Sequence, residues 1–128
     1  MSNYQHFYDL PVYKICRDFR KQVAAIVKER LPKTEEYMLK NQILRSGRSV
    51  TANIAEGFGR FHYQENIQYC RQGRGSLAET MEHIIVAFDE KYIGEELLTV
   101  LNNNYKTCLK ELNTYIKYLK SAKETNNQ

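Results

Sequence analysis

The sequence has no tryptophan and only two prolines and six glycines among its 128 residues, and it contains no long apolar run. So few turn-forming residues exclude the turn-dense pattern of a β-sandwich or barrel, and also a collagen-like or linker-like chain. The longest apolar runs, residues 23–27 and 84–88, are far shorter than the roughly 20 residues that span a bilayer. The first residues carry no apolar signal core, so we expect a cytoplasmic protein with no membrane partner.

Cysteine is scarce too, with Cys16, Cys70 and Cys108 lying far apart along the chain. An odd number of widely spaced cysteines favours neither a disulfide framework nor a zinc site. We interpret each one as a small buried hydrophobe rather than as a reactive thiol.

Apolar residues at helical spacing are present almost throughout the chain, and no segment alternates as a strand would. The pattern predicts a single all-α domain over residues 1–128, with helices over about residues 9–30, 34–56, 62–91 and 95–121 and a short polar tail. Four amphipathic helices on short links bury their apolar stripes most economically in an antiparallel up-down-up-down four-helix bundle.

Local residues predict where these helices begin and end. Asp9 and Thr34 are candidate N-caps of the first and second helices. Gly57 and Gly59 are the expected end of the second helix, because glycine accepts the left-handed conformation that often closes one. The tail after Ser121 is expected to fray.

Helices two and three each carry a polar stripe beside small residues that permit close approach. One interpretation is a partly buried polar network, within the bundle or between subunits, in which Arg45, Arg71 or Arg74 pairs with Glu56 or Glu79. The alternative is a catalytic or ligand pocket, which we favour less. The predicted network comprises Arg45, Ser49, Asn53, Glu56, Arg71, Arg74, Ser76 and Glu79.

Two segments of these helices, RSGRSVTANIAEGFGR at residues 45–60 and GSLAE at residues 75–79, form a distinctive motif. It resembles the four-helix-bundle family of proteins encoded in 23S rRNA intervening sequences (S23-like). The resemblance extends from about Tyr8 to Leu119, with departures at Gly47 and Thr51, where the family usually shows alanine and proline.

The resemblance implies a ring-like homopentamer with no established enzyme activity. A more distant similarity links the bundle to the accessory variability determinant of diversity-generating retroelements. That protein is a basic pentameric partner of a reverse transcriptase and binds nucleic acid. It supports a nucleic-acid role here by analogy only, since fold does not determine function.

Charge is unevenly distributed along the chain. Residues 9–31 hold six Lys and Arg against three acids, residues 33–60 hold five against three, and the third helix reverses the balance. On the first helix, Lys14, Arg17, Lys21 and Lys28 share one face that suits phosphate contact, with Arg48 and Arg60 as secondary candidates. A merely solvated face is the alternative, but fivefold repetition would raise a net charge of +4 to about +20.

Features of an enzyme are few. The three histidines are scattered, and neither a His-Glu-x-x-His nor a Gly-x-Ser-x-Gly motif occurs. Glu79, Glu82 and His83 lie on successive helical turns, but a di-metal bundle needs matching ligands from two helices. The sequence therefore indicates no catalytic residue, metal or cofactor.

The leading hypothesis is a non-enzymatic, oligomeric bundle that binds structured RNA or DNA electrostatically. The second is a protein-interaction scaffold that serves as accessory subunit of a nucleic-acid enzyme such as a reverse transcriptase. Five aromatic residues are expected outside the core, where they would offer stacking surfaces: Tyr4, Phe7, Tyr8, Phe61 and Tyr63.

Overall fold

The computed structural model describes residues 4–126, and over that range it contains helices and no strand. The four α-helices are α1 (Pro11–Arg30), α2 (Leu39–Gly59), α3 (Tyr63–Asp89) and α4 (Glu95–Asn126). Short 3-10 turns, Phe7–Asp9 and Lys33–Glu35, precede α1 and α2. The predicted all-α class with four helices is confirmed.

The start of α1 differs from the prediction by two residues. Asp9 lies in the preceding 3-10 turn, and the N-cap residue is Leu10, which has extended backbone and no side-chain cap. Pro11 is the first helical residue. Its missing N–H costs nothing there, because the first helical N–H groups have no partner within the helix.

The start of α2 was predicted wrongly, since the helix begins at Leu39 and Thr34 caps nothing. Glu35 acts in its place: one carboxylate oxygen accepts a hydrogen bond from the Leu39 backbone N–H at 3.3 Å. The Tyr92 hydroxyl donates to the other oxygen at 2.7 Å. This contact with the α3–α4 link fixes the segment before α2 as a separate turn.

The α2 helix ends at Gly59, at the expected glycine stop, but the expected mechanism is wrong. Gly57 and Gly59 are both helical, and no glycine among residues 4–126 has a positive φ. The left-handed residue is instead Phe61, with φ of 60°. Gly57 serves close packing, because a Cβ there would lie 2.7 Å from Asn66 Oδ1 and 3.1 Å from the Asn66 carbonyl oxygen.

The polar tail does not fray at Ser121, since α4 continues to Asn126. Thr125 and Asn126 donate hydrogen bonds back to the carbonyls of Ser121 and Ala122, at 3.0 and 2.8 Å. Lys123 Nζ also donates to Gln64 Oε1 on α3. These side-chain contacts hold the last turns in place.

All four helices contribute to one apolar core, and the three cysteines are buried within it, as predicted. A hydrogen bond with Cys108, together with burial, raises the pKa of Cys16, and burial raises the pKa of Cys70 to about 12. Both thiols therefore stay neutral at physiological pH, which makes them poor nucleophiles.

Candidate nucleic-acid interface

A basic groove runs between α1 and α2. Arg20, Lys21 and Lys28 line it from α1 and Arg48 lines it from α2, around a cavity of about 90 Å³ with a mostly apolar floor. Among the described residues, no Asp or Glu lines this groove. The fold thus brings three of the predicted cations together and adds Arg20.

Arg20 is the fixed cation of the groove. Its Nη1 donates to Thr51 Oγ1 at 2.7 Å, and Thr51 in turn donates to the Arg48 carbonyl at 3.4 Å. A Cβ at Gly47 would lie 3.8 Å from Arg20 Cγ, at an ordinary van der Waals distance, so Gly47 lies beside the arginine stem. Since a guanidinium has five N–H donors, most remain for an anion.

The other predicted phosphate contacts lie outside the groove. Lys14 and Arg17 are exposed on α1 and extend its basic face toward the helix N-terminus. Arg60 directly follows α2, and it forms ion pairs with Glu56 at 3.0 Å and Glu65 at 3.6 Å. Its charge is therefore largely balanced within the chain.

A polar seam of five residues, Ser46, Ser49, Asn53, Ser76 and Thr80, joins α2 to α3. The Ser49 and Ser76 hydroxyls lie 2.8 Å apart, and Asn53 Nδ2 donates to the Ser49 carbonyl at 2.8 Å. Thr80 Oγ1 is 2.8 Å from Ser46 Oγ. The predicted Ser49, Asn53 and Ser76 thus belong to one network, to which the structure adds Ser46, from the same polar stripe of the second helix, and Thr80.

The charged members of the predicted network pair differently from expectation. Arg74 donates to Asn113 Oδ1 at 2.8 Å, while Glu56 pairs with Arg60 and Glu79 with His83. Arg45 and Arg71 are exposed and form no ion pair within residues 4–126.

The predicted pairing of Arg45, Arg71 or Arg74 with Glu56 or Glu79 is therefore wrong within the chain, because Glu56 pairs with Arg60 and Glu79 with His83 on their own helices. A pairing between subunits stays a prediction.

An aromatic cavity of about 430 Å³ opens at one end of the bundle. It lies where the segment before α1, the α2–α3 link and the last turns of α4 meet. Among the described residues, no Lys, Arg, Asp or Glu lines it. Its aromatic lining consists of Tyr4, Phe58, Phe61, Tyr63, Tyr115 and Tyr118.

Two of the polar groups that line the aromatic cavity, Asn66 and the Tyr115 hydroxyl, are hydrogen-bonded to each other, and Gln5 and His62 also line it. Asn66 is buried, and its Nδ2 donates to Tyr115 Oη at 3.1 Å while its Oδ1 accepts from Cys70 Sγ. Burial raises the pKa of Tyr115 to about 12. The hydroxyl therefore keeps its proton at physiological pH and remains a donor.

The sequence analysis missed this cavity, although its aromatic residues were visible around Gly59 and near the chain end. Of the five aromatics expected outside the core, Phe61 is 82% and Tyr8 51% exposed, as predicted. Tyr4, Phe7 and Tyr63 pack against the core instead.

No site for a metal ion is evident in residues 4–126, where no three His, Cys, Asp or Glu side chains converge. Glu79 and His83 approach each other at 3.3 Å, without a third such residue beside them. Within the same part of the chain, every helix is too short or too polar to cross a membrane.

Comparison with known proteins adds the family. The model of the 23S rRNA-intervening sequence protein family matches residues 8–114. The chain belongs to this family. It is also similar to the crystal structure of a protein with unknown function from the S23 ribosomal protein family of Bacteroides thetaiotaomicron. That protein is 25% identical, the match covers 83% of this chain and 95% of the other, and the TM-score is 0.76. No curated protein matches significantly.

In this 23S rRNA-intervening sequence protein, the motif at residues 45–60 serves two neighbouring helices. Ser46, Ser49 and Gly57 contact α3. Of the two positions at which the sequence departs from the expected motif, Thr51 accepts a hydrogen bond from Arg20 and Gly47 lies beside the Arg20 stem.

Proposed function

We propose that this protein binds structured RNA or DNA through its basic groove and has no enzymatic activity of its own. The observation that carries the proposal is the convergence of Arg20, Lys21, Lys28 and Arg48 without a carboxylate among the groove's described lining residues. Basic side chains on rigid helices release counterions from a phosphate backbone when they bind it, and this supplies affinity without base recognition.

The length of α1 supports contact with several phosphates. Its 20 residues extend roughly 30 Å, and the exposed Lys14 and Arg17 continue the basic face beyond the groove. Arg20 suits phosphate particularly well, because a guanidinium held in one orientation presents parallel N–H donors to two oxygens.

We propose further that the chain is an antiparallel up-down-up-down bundle and assembles into a homopentameric ring in the cytoplasm. The seam supports the topology, since residue numbers rise along α2 (Ser46, Ser49) as they fall along α3 (Thr80, Ser76). Exposed apolar side chains of α3 and α4, at Ile85 and Val100, favour contact between copies. A ring would concentrate five basic grooves on one particle.

Light scattering with a stem–loop RNA and a duplex DNA tests this proposal. We expect the mass of a pentamer. This mass should increase when nucleic acid is added at low salt, and it should return to that of the free pentamer at moderate salt. Lys21→Gln combined with Arg48→Gln should weaken binding by about tenfold or more, because two phosphate contacts are lost.

A matched control comes from α4, where Lys110 and Lys117 are also exposed. The double variant Lys110→Gln with Lys117→Gln removes the same charge and should bind as the wild type does. If only the α4 variant lost binding, the nucleic acid would contact α4 and not the basic groove. A monomer that ignores both nucleic acids would overturn the proposal altogether.

One observation favours a second candidate function, a scaffold for a protein partner. Tyr37 and Met38, in the link before α2, are 89% and 66% exposed. Because Tyr and Met are enriched at protein interfaces, this exposure suits contact with a protein partner. The partner expected by analogy is a reverse transcriptase or another nucleic-acid enzyme. Retention of nucleic acid only when such an enzyme is present would favour this candidate.

A further inference from the structure

We infer that the aromatic cavity receives one unpaired nucleobase of the nucleic acid bound along α1, with Phe61 stacked on its face. The inference rests on the proposed function, because the base must belong to a nucleic-acid ligand. It adds a second kind of contact: the basic groove binds phosphates, whereas the cavity binds a neutral ring.

Phe61 is the first observation behind this assignment. Its backbone is left-handed, with φ of 60°, and its side chain is 82% exposed. Both features are unfavourable for a bulky aromatic residue. The nearest ring, Phe58, lies 6.4 Å away and is tilted by 54°, so a face of Phe61 stays free. An exposed aromatic face is what a nucleobase stacks on.

The size and polarity of the cavity are the second observation. A volume of about 430 Å³ lies within the range of small-ligand pockets. The Tyr115 oxygen accepts from Asn66 Nδ2, which leaves the Tyr115 proton for a ring nitrogen or carbonyl oxygen of a ligand. An aromatic wall with a fixed donor suits a planar heterocycle that has hydrogen-bonding edges.

The lining of the cavity favours a neutral ring. Among the described lining residues there is no Lys, Arg, Asp or Glu, and His62 supplies the one imidazole. Arg60, next to Phe61 in sequence, is paired with Glu56 and Glu65. Affinity in the cavity should therefore come from ring contacts and respond little to salt.

The basic face of α1 connects the two sites. Leu10, just before α1, lines the aromatic cavity, and Lys14 and Arg17 follow it along the exposed surface toward the basic groove. From Leu10 to Lys21 the distance along the helix is roughly 17 Å. A duplex held in the groove could therefore send a short unpaired overhang of a few nucleotides to the cavity.

The test uses 2-aminopurine, whose fluorescence falls when the base stacks. One probe is a stem–loop RNA with 2-aminopurine in a single-stranded overhang, and the other is 2-aminopurine riboside alone, which has no phosphate. We expect the full-length protein to quench both, and the riboside affinity to stay within about twofold between low and moderate salt.

Variants separate the cavity from the groove. Phe61→Asn should weaken riboside binding by about tenfold or more, given the measured worth of base stacking. Its melting temperature should be unchanged or higher, because asparagine tolerates the left-handed conformation. Lys21→Gln with Arg48→Gln should release the stem–loop and leave riboside binding intact, so the groove can fail without the cavity.

Three results would overturn the inference. The first is equal binding of a stem–loop with an abasic overhang, which would show that no base is recognised. The second is the absence of riboside quenching in a protein that binds the stem–loop. The third is a change in oligomeric mass for Phe61→Asn, which would make Phe61 a contact between copies.

Discussion

Gly57 and Gly75 lie inside helices, but only Gly57 faces a close neighbour. A Cβ at Gly57 would lie within 3.1 Å of three atoms of α3, one of them a backbone oxygen, whereas a Cβ at Gly75 would meet nothing within 4 Å. A buried methyl group that forces two helices apart is destabilising, and an exposed one improves helix propensity. Replacement by alanine should therefore change the free energy of unfolding in opposite directions at these two positions.

We expect Gly57→Ala to lower the free energy of unfolding by about 2 kcal/mol, and Gly75→Ala to raise it by about 1 kcal/mol. Urea denaturation followed by circular dichroism measures both. Gly73→Ala should fall between them, because its Cβ would lie 3.3 Å from Asn53 Cβ and from the Val50 carbonyl oxygen. Equal effects at positions 57 and 75 would contradict the close approach of α2 and α3.

Stability should fall at alkaline pH because of buried Cys70. Burial raises its pKa from 9.0 to about 12, so the folded state favours the neutral thiol. For an acid whose pKa is raised on folding, the stabilisation is complete below the unfolded pKa and is lost as pH rises toward the folded one. We therefore expect the free energy of unfolding to decrease between pH 9 and about 12.

Cys70→Ala is the matching variant for this measurement. It should be less stable than the wild type at pH 7, because it leaves a small cavity, but its stability should fall less between pH 8 and 10.5. Cys16, whose pKa is also raised, and Tyr115, whose pKa is raised to about 12, account for the fall that remains. Identical pH profiles for the two proteins would show that Cys70 does not titrate on unfolding.

At the scale of single helices, what is predictable depends on where the determining contact lies. The apolar stripe of α3 was predictable because Ile67, Cys70, Leu77 and Ile84 follow a periodicity that sequence shows directly, and all four are buried. The start of α2 was not predictable. It depends on a hydrogen bond from Tyr92, which lies far away in the sequence, to Glu35. The residues around Thr34 and Glu35 do not show which of the two accepts a hydrogen bond from the first backbone N–H groups of the helix.

The polar seam gives a prediction at this scale. Thr80 Oγ1 contacts both Ser46 Oγ and the Ser76 carbonyl at 2.8 Å, in a region where unsatisfied polar atoms are costly. Thr80→Val and Ser46→Ala should each destabilise the protein by about 1 kcal/mol. The double variant should cost less than the sum, by about 0.5 to 1.5 kcal/mol, because the partners share one hydrogen bond. Strict additivity would mean that the two hydroxyls do not interact in solution.

At the scale of the whole molecule, the candidate sites were only half predictable. Lys21, Lys28 and Arg48 were identified from charge alone, because exposed cations on one helix face are visible in sequence. Arg20 was not, since its orientation depends on a hydrogen bond to Thr51 of another helix. Arg60 was chosen for its charge, but Glu56 and Glu65 balance it, and Glu65 lies on the other side of the α2–α3 link.

The number of phosphates bound gives the last prediction, since it sets the salt dependence of affinity. For duplex DNA, the slope of log K against log salt is about −0.9 for each neutralised phosphate. Lys21→Gln with Arg48→Gln should therefore flatten the slope by about 2 for each chain in contact. Arg20→Lys keeps its charge, so its slope should be unchanged, while its affinity falls at every salt concentration because the guanidinium fork is lost. Unchanged affinity for Arg20→Lys would mean that the guanidinium counts only as a charge, and that its contact with Thr51 does not orient it toward a phosphate.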